Sequence, residues 1–283
     1  MHTNTRIVMT GGNGDLGKLL APKLSAIGAD AISLDPVGKV AAGVSHIPGS
    51  ILDRNLTRES IAGATLVVHI AAWHGFHAFS KSKTDAEFWD LNMTGTFNVL
   101  DSCVASGTRK LVFISSTSVD EWPDMYGMTK LLGEELCRAY AKREDIQVIT
   151  LRPRAFVPWW NTNVYNSKEE WASWFARGAV HIDDVAEAAM LACVKLLETD
   201  NSMCEVLTLD GKQDFSAEEI EIWRERGGKS FLMERFPEYR ALIESASFIP
   251  DEPPVYKDIS RTKEVLGFMP RYGLYELFVE MFS

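Results

Sequence analysis

The sequence predicts an α/β protein with a doubly wound parallel sheet and a small second lobe, and two observations predict that class. Short apolar runs alternate with amphipathic stretches through the first half of the 283-residue chain, as in a parallel sheet covered by helices. A glycine-rich segment follows the first apolar run and opens the first amphipathic stretch. The length suits one large domain, or one domain with a lobe.

The elements are predicted in chain order. Residues 6–10 form an apolar run of buried-strand type, and the helix after it, 14–27, carries leucines at helical spacing. Further strands are predicted at 31–34, 45–48, 65–70, 110–115, 146–151 and 204–209. Further helices are predicted at 86–106, 124–143 and 182–198. The strand spacing suits right-handed βαβ crossovers.

The alternation stops after Arg152-Pro153. Residues 154–179 combine Asn, Ser and Pro with four tryptophans, 180–210 return to the first pattern, and the tail is helical and polar. We therefore predict a main domain at 1–153, completed by 180–210, and a small lobe from 154–179 and 211–283. The tryptophans suit either the core of this lobe or a platform for the apolar faces of a sugar.

Composition and charge exclude several classes of partner. The formal net charge is −10, with no basic arm or stripe, which argues against nucleic acid and anionic membranes. No apolar run approaches the roughly 18 residues that span a bilayer, and the first strand begins too early for a signal peptide. The four cysteines lack paired spacing, which is typical of free thiols in a reducing compartment. We therefore expect a cytoplasmic protein.

The glycine-rich segment is a candidate nucleotide loop. Gly11, Gly14 and Gly17 stand between a predicted strand and a predicted helix. The first glycine permits a tight turn, the second lets the backbone approach a pyrophosphate, and the third lets the helix pack closely on the strand. The helix N-terminus adds N–H groups and positive partial charge. Three neighbouring loop residues are expected to contact the dinucleotide as well: Asn13, Asp15 and Leu16.

Two aspartates bear on the kind of dinucleotide. Asp35 ends the second predicted strand, 18 residues beyond Gly17, close to the spacing of a carboxylate that binds the adenosine ribose. A carboxylate there repels the 2′-phosphate of NADP, so NAD is favoured, unless Asp35 is a plain turn residue. Asp53 follows the short third strand, where it suits either a contact to the adenine amino group or the N-cap of a helix.

The candidate catalytic pair is Tyr126 and Lys130, in Tyr-Gly-Met-Thr-Lys. Residues four apart lie on one face of a helix, so the ammonium can stabilise the phenolate and lower the pKa of Tyr126. The phenol would then exchange a proton with a substrate hydroxyl or carbonyl near neutral pH. Alone, this spacing also suits an ordinary surface pair, but the glycine loop earlier in the same domain favours the catalytic interpretation.

Further motifs follow in order: Ile-Leu-Asp (51–53), His-Ile-Ala-Ala (69–72), Asn-Met-Thr-Gly-Thr (92–96), Phe-Ile-Ser-Ser-Thr-Ser-Val (113–119), Leu-Arg-Pro (151–153), Val-His-Ile-Asp-Asp-Val-Ala (180–186) and Asp-Ile-Ser-Arg-Thr-Lys-Glu-Val-Leu-Gly-Phe-Met-Pro (258–270). With the glycine loop and Tyr126–Lys130, this set resembles the extended short-chain dehydrogenase/reductases, the NAD-dependent epimerase/dehydratase family, over nearly the whole chain. The resemblance implies that the main domain is an NAD-binding Rossmann domain and that the small lobe binds the substrate.

The resemblance also implies roles for single residues. Tyr126 is the acid/base, and Lys130 holds the nicotinamide ribose and tunes the phenol. Ser116 is the catalytic hydroxyl, with Thr117 as a second candidate. Asn92 positions the helix of Tyr126 or its water. Three more residues are expected at the cofactor: Ala71, Ala72 and Arg152.

The chain departs from that family in two lengths. Only nine residues separate Ser116 from Tyr126, which opens one wall of the usual pocket or leaves it to the tryptophan-rich lobe. The lobe segment 154–179 is short for a clamp on a nucleotide sugar, which favours a smaller substrate. Where the family's dehydratases carry an acid pair, this chain has Thr117 and Ser118, so a 4,6-dehydratase is disfavoured.

The short lobe is similar to that of the uronate dehydrogenases, with Ser-Trp-Phe at 173–175. Where those enzymes place an arginine for the sugar carboxylate, this chain offers Glu169 or Glu170, which argues against a uronic acid. Three basic residues are alternative carboxylate ligands or plain surface charges: Arg154, Lys168 and Arg177.

The substrate is expected beside the loop that follows the fourth strand. Either Trp73 or His74 edges the nicotinamide or substrate pocket. His69 and His77 lie nearby, but no carboxylate or thiol completes a recognised metal-ligand spacing, so no metal is expected. The full set of candidate substrate residues is Trp73, His74, Thr117, Arg154 and Trp159.

Two functions of different classes remain open. One is an enzyme that moves a hydride between NAD and a secondary alcohol carbon of a sugar-like compound. If the product is reduced again from the other face, that enzyme is an epimerase, such as a nucleotide-sugar epimerase that retains its NAD. The other is a non-catalytic dinucleotide sensor, which needs only the glycine loop and Asp35. The presence of Ser116, Tyr126 and Lys130 favours the enzyme.

The resemblance further implies a homodimer that pairs through the helices of Asn92 and Tyr126. Apolar residues on these helices permit such an interface and equally permit packing onto the sheet: Phe97, Val99, Leu100, Leu131 and Leu132.

Overall fold

One parallel sheet organises the chain. The computed structural model describes residues 5–38, 41–121 and 124–282, and within them seven parallel strands pair in the order β3-β2-β1-β4-β5-β6-β7. The strands are β1 Arg6–Thr10, β2 Asp30–Asp35, β3 Ser45–Pro48, β4 Leu66–His69, β5 Lys110–Ile114, β6 Gln147–Pro153 and β7 Cys204–Leu209. The strand order reverses between β1 and β4, which confirms the predicted doubly wound α/β fold.

Helices cover both faces of this sheet. The helices on one face are α1 (Asp15–Ala26), α8 (Ile182–Glu198) and α12 (Ser260–Leu266). Those on the other face are α2 (Arg54–Ile61), α5 (Gly95–Ser106) and α6 (Met125–Glu144). Successive residues of β1 are therefore fully buried, as a sheet covered on both faces requires. No helix of the described ranges is both long enough and apolar enough to cross a membrane.

The backbone between β4 and α5 is more elaborate than the sequence predicted. Two short helices, α3 (Gly75–Phe79) and α4 (Asp85–Phe88), precede a π-helix at Trp89–Thr94 that leads directly into α5. The predicted single helix over 86–106 is thus helical throughout but wider in its second turn. Hydrophobic periodicity does not distinguish such a turn from α-helix, and α2 and α3 are too short to show a period.

A separate aromatic core holds the small lobe together. Its helices are α7 (Lys168–Ala176), α9 (Ala217–Arg226), α10 (Gly228–Arg235), α11 (Arg240–Ser245) and α13 (Leu274–Phe282). Trp171 and Trp223 are buried in this core together with several phenylalanines. The tryptophan-rich segment therefore divides: Trp171 belongs to the core, whereas Trp159, Trp160 and Trp174 remain partly exposed.

The tail differs from the predicted lobe boundary. Ile259, Leu266 and Phe268 pack into the main core beneath the sheet rather than into the aromatic core. The segment 259–268 with α12 therefore belongs with the main domain, and the lobe contains the residues on either side of it.

The strand register brings the candidate site residues to one edge of the sheet. Thr10 of β1 pairs with His69 of β4, and His69 pairs with Phe113 of β5. Because the carboxyl ends of parallel strands meet at one edge, the glycine loop, the segment after β4 and the turn of Ser116 all begin there.

We predict that Gly17→Ala destabilises the fold, because a Cβ at this position of α1 would overlap the backbone of Gly12. Overpacking of backbone against backbone is expected to lower the free energy of unfolding by about 1–3 kcal/mol. Urea denaturation measures it. Gly38→Ala is the control, since a Cβ there meets no atom within 4 Å, and its effect should stay within about 0.5 kcal/mol. Equal stability of the two variants would contradict the predicted close packing.

Candidate active site

The glycine loop has the geometry of a phosphate-binding turn. Gly11 has φ +70°, and a Cβ there would stand 2.7 Å from the amide nitrogen of Ala71. The N–H of Gly14 donates to the Gly11 carbonyl at 3.1 Å and closes the turn. Gly14 then begins α1 without a side-chain hydrogen bond to its first turn. The positive end of α1 is thus available to an anion.

Asp35 lies at the end of β2 beside this loop and is almost completely buried. One carboxylate oxygen accepts from the Asn13 N–H at 3.1 Å, and the other accepts from the Val37 N–H at 2.8 Å. The Asn13 side chain in turn accepts from the Ser33 hydroxyl at 2.7 Å. The carboxylate is therefore fixed next to the loop, as the predicted ribose contact requires.

Asp53 caps α2. One of its carboxylate oxygens accepts from the N–H groups of Asn55 and Leu56, at 3.1 and 3.0 Å. The N-cap interpretation of Asp53 is thus confirmed, and its contact to adenine stays a prediction that would use the other oxygen.

These features fit a bound dinucleotide. The loop leaves no room for a Cβ at Gly11 or Gly17, the first turn of α1 lacks a side-chain cap, and Asp35 presents a fixed carboxylate nearby. Together they provide a place for a pyrophosphate and an acceptor for ribose hydroxyls.

The candidate catalytic residues Ser116, Tyr126 and Lys130 are buried together at the edge of the sheet. The Ser116 side chain caps the 3₁₀ turn Thr117–Asp120 and hydrogen-bonds the Tyr126 side chain. Lys130, one turn along α6 from Tyr126, donates to the Ile114 carbonyl at the end of β5, at 2.7 Å. The hydroxyls of Ser116 and Tyr126 and the amine of Lys130 thus lie near the point where β5 contacts α6.

Burial dominates the titration of this pair. It raises the pKa of Tyr126 to about 12, against a smaller opposing effect of the hydrogen bond with Ser116. It also lowers the pKa of Lys130 to about 8, although the charge of Glu134 acts in the opposite direction. The expectation of a lowered Tyr126 pKa is therefore wrong for this structure, because burial outweighs the effect that lowers it.

Asn92 connects two parts of the site. Its side-chain oxygen accepts from the Trp73 N–H at 2.8 Å, and its amide donates to the Trp73 carbonyl at 3.1 Å and to the Thr129 hydroxyl at 3.0 Å. The segment after β4 is thereby tied to α6, one residue before Lys130. This is the positioning that the resemblance implied for Asn92.

His69 connects β1 to α5, the helix that continues the π-helix of Asn92. The Thr96 hydroxyl donates its single proton to the Asn92 carbonyl at 2.5 Å, so it must accept from His69 Nε2 at 2.9 Å. His69 Nδ1 then accepts from the Thr10 hydroxyl at 2.7 Å. The imidazole is thus neutral and protonated on Nε2. Consistently, burial and the neighbouring Lys130 lower the pKa of His69 to about 3.

The segment after β4 covers Tyr126. A Cβ at Gly75 would lie 3.3 Å from the Tyr126 ring, so a larger residue there would require the ring to shift by a few tenths of an ångström. His74, just before it, is partly buried, and that burial, with His77 and Lys130 nearby, lowers its pKa to about 4. Trp73 carries the Lys83 ammonium over its ring at 4.2 Å. The structure thus places Trp73 and His74 in the segment that covers Tyr126, and their contact to nicotinamide or substrate stays a prediction.

Two arginines take other partners than the sequence predicted. Arg152 donates to the buried carboxylate of Glu134 from Nε at 2.8 Å and from Nη2 at 2.5 Å, so its fork is used within the protein rather than at a cofactor. Arg154 pairs with buried Asp210 at 3.3 Å and donates to the Val255 carbonyl, so it is neither a free substrate ligand nor a surface charge.

The tryptophan-rich segment contacts the nucleotide loop. Asn161 donates to the Asp15 carboxylate in the first turn of α1 at 2.7 Å. Trp159 donates to Glu280 of α13 at 2.8 Å and carries the Lys168 ammonium over its ring at 5.0 Å. Asp15 and Trp159 are thus partnered within the protein.

Two side chains near the site, those of Glu134 and Lys257, were not predicted from the sequence. Glu134 lies four residues after Lys130, a helical spacing that was available as a signal. Lys257, in the tail, reaches Asp120 at 3.2 Å in the turn after Ser116, and nothing local in the sequence indicates that pair. Lys257 and its neighbours therefore stand at the wall that the short loop leaves open. Among the described residues, no cluster of side chains is arranged to hold a metal ion.

A family model with the description NAD dependent epimerase/dehydratase family matches residues 7–202. The chain belongs to this family. The predicted family is thereby confirmed, and the protein is an NAD-dependent enzyme of the extended short-chain dehydrogenase/reductase type. Its cofactor is NAD, as the glycine loop and Asp35 predicted.

Individual relatives are distant. An uncharacterised protein, y4nG of Sinorhizobium fredii, is 27% identical over 98% of this chain and 77% of its own length. The uronate dehydrogenase of Pseudomonas putida is 25% identical over 52% of this chain and 59% of its own length. Among solved structures, MoeE5 in complex with UDP-glucose and NAD has a TM-score of 0.71, at 23% identity, with 97% of this chain and 96% of that chain covered. At that identity, the likeness to MoeE5 shows the fold alone.

We predict that His69 makes the protein less stable as the pH falls. The folded pKa of about 3 lies below the ordinary 6.5, so between these values the unfolded chain binds a proton that the folded chain does not. Stability is therefore full above pH 6.5 and declines below it. His69→Asn should reduce the difference in unfolding free energy between pH 7 and pH 5 by on the order of 1–2 kcal/mol.

Chemical denaturation at the two pH values measures this difference. His46→Asn is the matched control, because His46 hydrogen-bonds the Asp35 carbonyl near the surface of the sheet edge. A pH dependence that is the same in wild type and His69→Asn would refute a buried, neutral His69.

Proposed function

We propose that the protein transfers a hydride between NAD and a secondary alcohol carbon of a small, sugar-like compound. The observation that carries this proposal is the buried Tyr126, hydrogen-bonded to Ser116 and one helical turn from Lys130. A sensor would have no use for a buried phenol whose partners suit the transfer of a proton.

The cofactor contacts are proposed from the geometry of the loop. The glycine-loop backbone and α1 would hold the pyrophosphate, and Asp35 would accept from the adenosine ribose. When bound, NAD accepts or supplies the hydride. The full set of proposed cofactor residues is Gly11, Asn13, Gly14, Asp15, Leu16, Gly17, Asp35, Asp53, Ala71, Ala72 and Lys130.

The chain's own residues move the proton. A phenol with a raised pKa keeps its proton at neutral pH, so Tyr126 is ready to give it to a carbonyl oxygen as that oxygen gains electrons. Ser116 orients the same oxygen through its hydroxyl. In the oxidising direction Tyr126 takes the proton of the alcohol, and cationic Lys130 stabilises the phenolate that this requires. The pKa of Lys130, about 8, leaves it mostly protonated at neutral pH.

A small substrate suits the walls of the site. The segment after β4 covers Tyr126 from one side, and the contact between Lys257 and Asp120 stands on another. Trp73, His74 and Thr117 are the proposed substrate contacts. The similarity to a uronate dehydrogenase supports a sugar-like compound. Arg154 is left out, because its guanidinium is bound to Asp210.

An epimerase is the second candidate, since the family includes such enzymes and the fold matches MoeE5, which was solved with UDP-glucose and NAD. The shortness of segment 154–179 argues against a nucleotide sugar, and some of its side chains are already used in the aromatic core or at Asp15.

We also propose that the protein is a cytoplasmic homodimer. The four cysteines are all free, which suits a reducing compartment. Trp89 and Phe97 are exposed on the helix that follows Phe88, which supports pairing through that helix. Val99 and Leu100 are completely buried in the core between the sheet and the helices α2, α5 and α6, so they do not contribute to an interface.

We predict that Tyr126→Phe lowers kcat by a factor of about 10² to 10⁴, because the proton donor is lost, while NAD affinity is retained. Formation of NADH from a panel of sugars and sugar acids measures kcat, and isothermal titration measures NAD binding. Tyr140→Phe, a buried tyrosine on the same helix, is the control and should keep full activity. Unchanged turnover in Tyr126→Phe would sink the proposed role of this residue.

The retention of cofactor separates the two candidates. A dehydrogenase must release its reduced cofactor in every turnover, so we expect the purified protein to lack stoichiometric NAD and to bind added NAD reversibly. Assay of NAD and NADH released by denaturing the protein gives the ratio. One bound NAD per chain that survives dialysis would instead support the epimerase, in which the cofactor is regenerated in place.

A further inference from the structure

Glu134 is a buried carboxylate at the back of the site, outside the proposed catalytic set. Its side chain is almost fully removed from solvent, at 1% exposure. The Ser115 hydroxyl donates to it at 2.5 Å, and Arg152 donates from two nitrogens, at 2.8 and 2.5 Å. All its neighbours in this network are hydrogen-bond donors.

The network joins the three elements that build the site. Glu134 belongs to α6, Arg152 to β6, and Ser115 lies between the end of β5 and Ser116. The hydrogen bond to Ser115 therefore fixes the backbone immediately before the hydroxyl that contacts Tyr126. The guanidinium of Arg152 links Glu134 to β6, the strand next to β5.

Helix geometry places Glu134 behind Lys130. Tyr126, Lys130 and Glu134 follow one another at intervals of four residues, so they share one face of α6. Burial lowers the pKa of Lys130 to about 8, and the charge of Glu134 raises that pKa. Without Glu134, the amine would lose its proton at a still lower pH.

The other groups around Lys130 do not replace that charge. On α6, Cys137 is a buried thiol whose raised pKa keeps it neutral. On the side of β4, His69 and His74 have lowered pKa values and are also neutral. On β5, Lys130 meets the Ile114 carbonyl and the face of the Phe113 ring, at 5.3 Å from the ring centre.

Stability alone does not account for this arrangement. Removing a carboxylate and a guanidinium from water is costly, and apolar side chains of similar size often serve a fold at least as well. The placement of the ion pair directly behind Lys130 and Ser116 indicates a role in the reaction.

We propose that Glu134 is a positioning residue: its carboxylate, held by Arg152, keeps Lys130 cationic through the neutral range and fixes the turn that presents Ser116. This inference rests on the proposed function of Ser116, Tyr126 and Lys130. It adds a fourth residue that touches neither substrate nor cofactor and acts through the other three.

The test is Glu134→Gln, which keeps the shape and removes the charge. We expect the alkaline limb of the kcat profile to move to lower pH by on the order of one pH unit, because Lys130 loses its proton earlier. Heteronuclear NMR of protein with ¹³C-labelled lysine side chains, assigned with Lys130→Met, should show the same displacement of the Lys130 titration without any turnover. Glu134→Asp should restore part of the wild-type profile.

Glu135→Gln is the matched control. It makes the same chemical change one residue further along α6, at an exposed glutamate paired with Arg138, and it should leave both titrations unchanged. Ser115→Ala removes a hydrogen bond but no charge, so it should lower kcat without moving the alkaline limb. It also remains informative if Glu134→Gln fails to fold.

A Lys130 titration that is identical in wild type and Glu134→Gln would overturn the proposal, as would a loss of activity that is equal at all pH values. Neither outcome depends on Tyr126→Phe. If that variant stays active, the proposed function fails, whereas the NMR titration still decides the electrostatic role of Glu134.

Discussion

The site depends on the hydrogen-bonded chain through His69. A neutral imidazole accepts from Thr10, directly before the glycine loop, and donates to Thr96, which holds the carbonyl of Asn92. Asn92 in turn grips the segment after β4 and the helix of Tyr126. Hydrogen-bonded side chains thus connect β1, which leads into the glycine loop, to α6, which carries Tyr126. Since each hydroxyl in this chain has one proton to give, the direction of every hydrogen bond is determined.

Burial has opposite consequences for Tyr126 and Lys130 on α6. It raises the pKa of the Tyr126 phenol and lowers the pKa of the Lys130 ammonium. The first consequence favours proton donation, and the second would remove the cation that proton abstraction requires. The buried charge of Glu134 offsets the lowering of the Lys130 pKa. Arg152 in turn offsets the cost of burying Glu134. The ion pair of Glu134 and Arg152 is therefore linked to the chemistry of the site through the protonation state of Lys130.

The substrate side is closed by distant segments rather than by the loop that follows β5. Lys257 of the tail meets Asp120 beside Ser116, and Asn161 of the lobe meets Asp15 at the nucleotide loop. The tryptophan-rich segment supplies Asn161 to this contact and Trp171 to the aromatic core. Short walls and partnered side chains together support the proposal of a compact substrate.

The sequence by itself determined the fold class, the family and the glycine loop with the Tyr126–Lys130 pair, because these follow from local periodicity and fixed spacing. The ends of most strands were predicted to within a few residues for the same reason. The tertiary structure decided the π-helix at Trp89–Thr94, the ion pairs of Arg152 and Arg154, and the reversal of the expected pKa of Tyr126. Those depend on desolvation and on partners as far apart as the 137 positions between Asp120 and Lys257, and neither is encoded in local spacing.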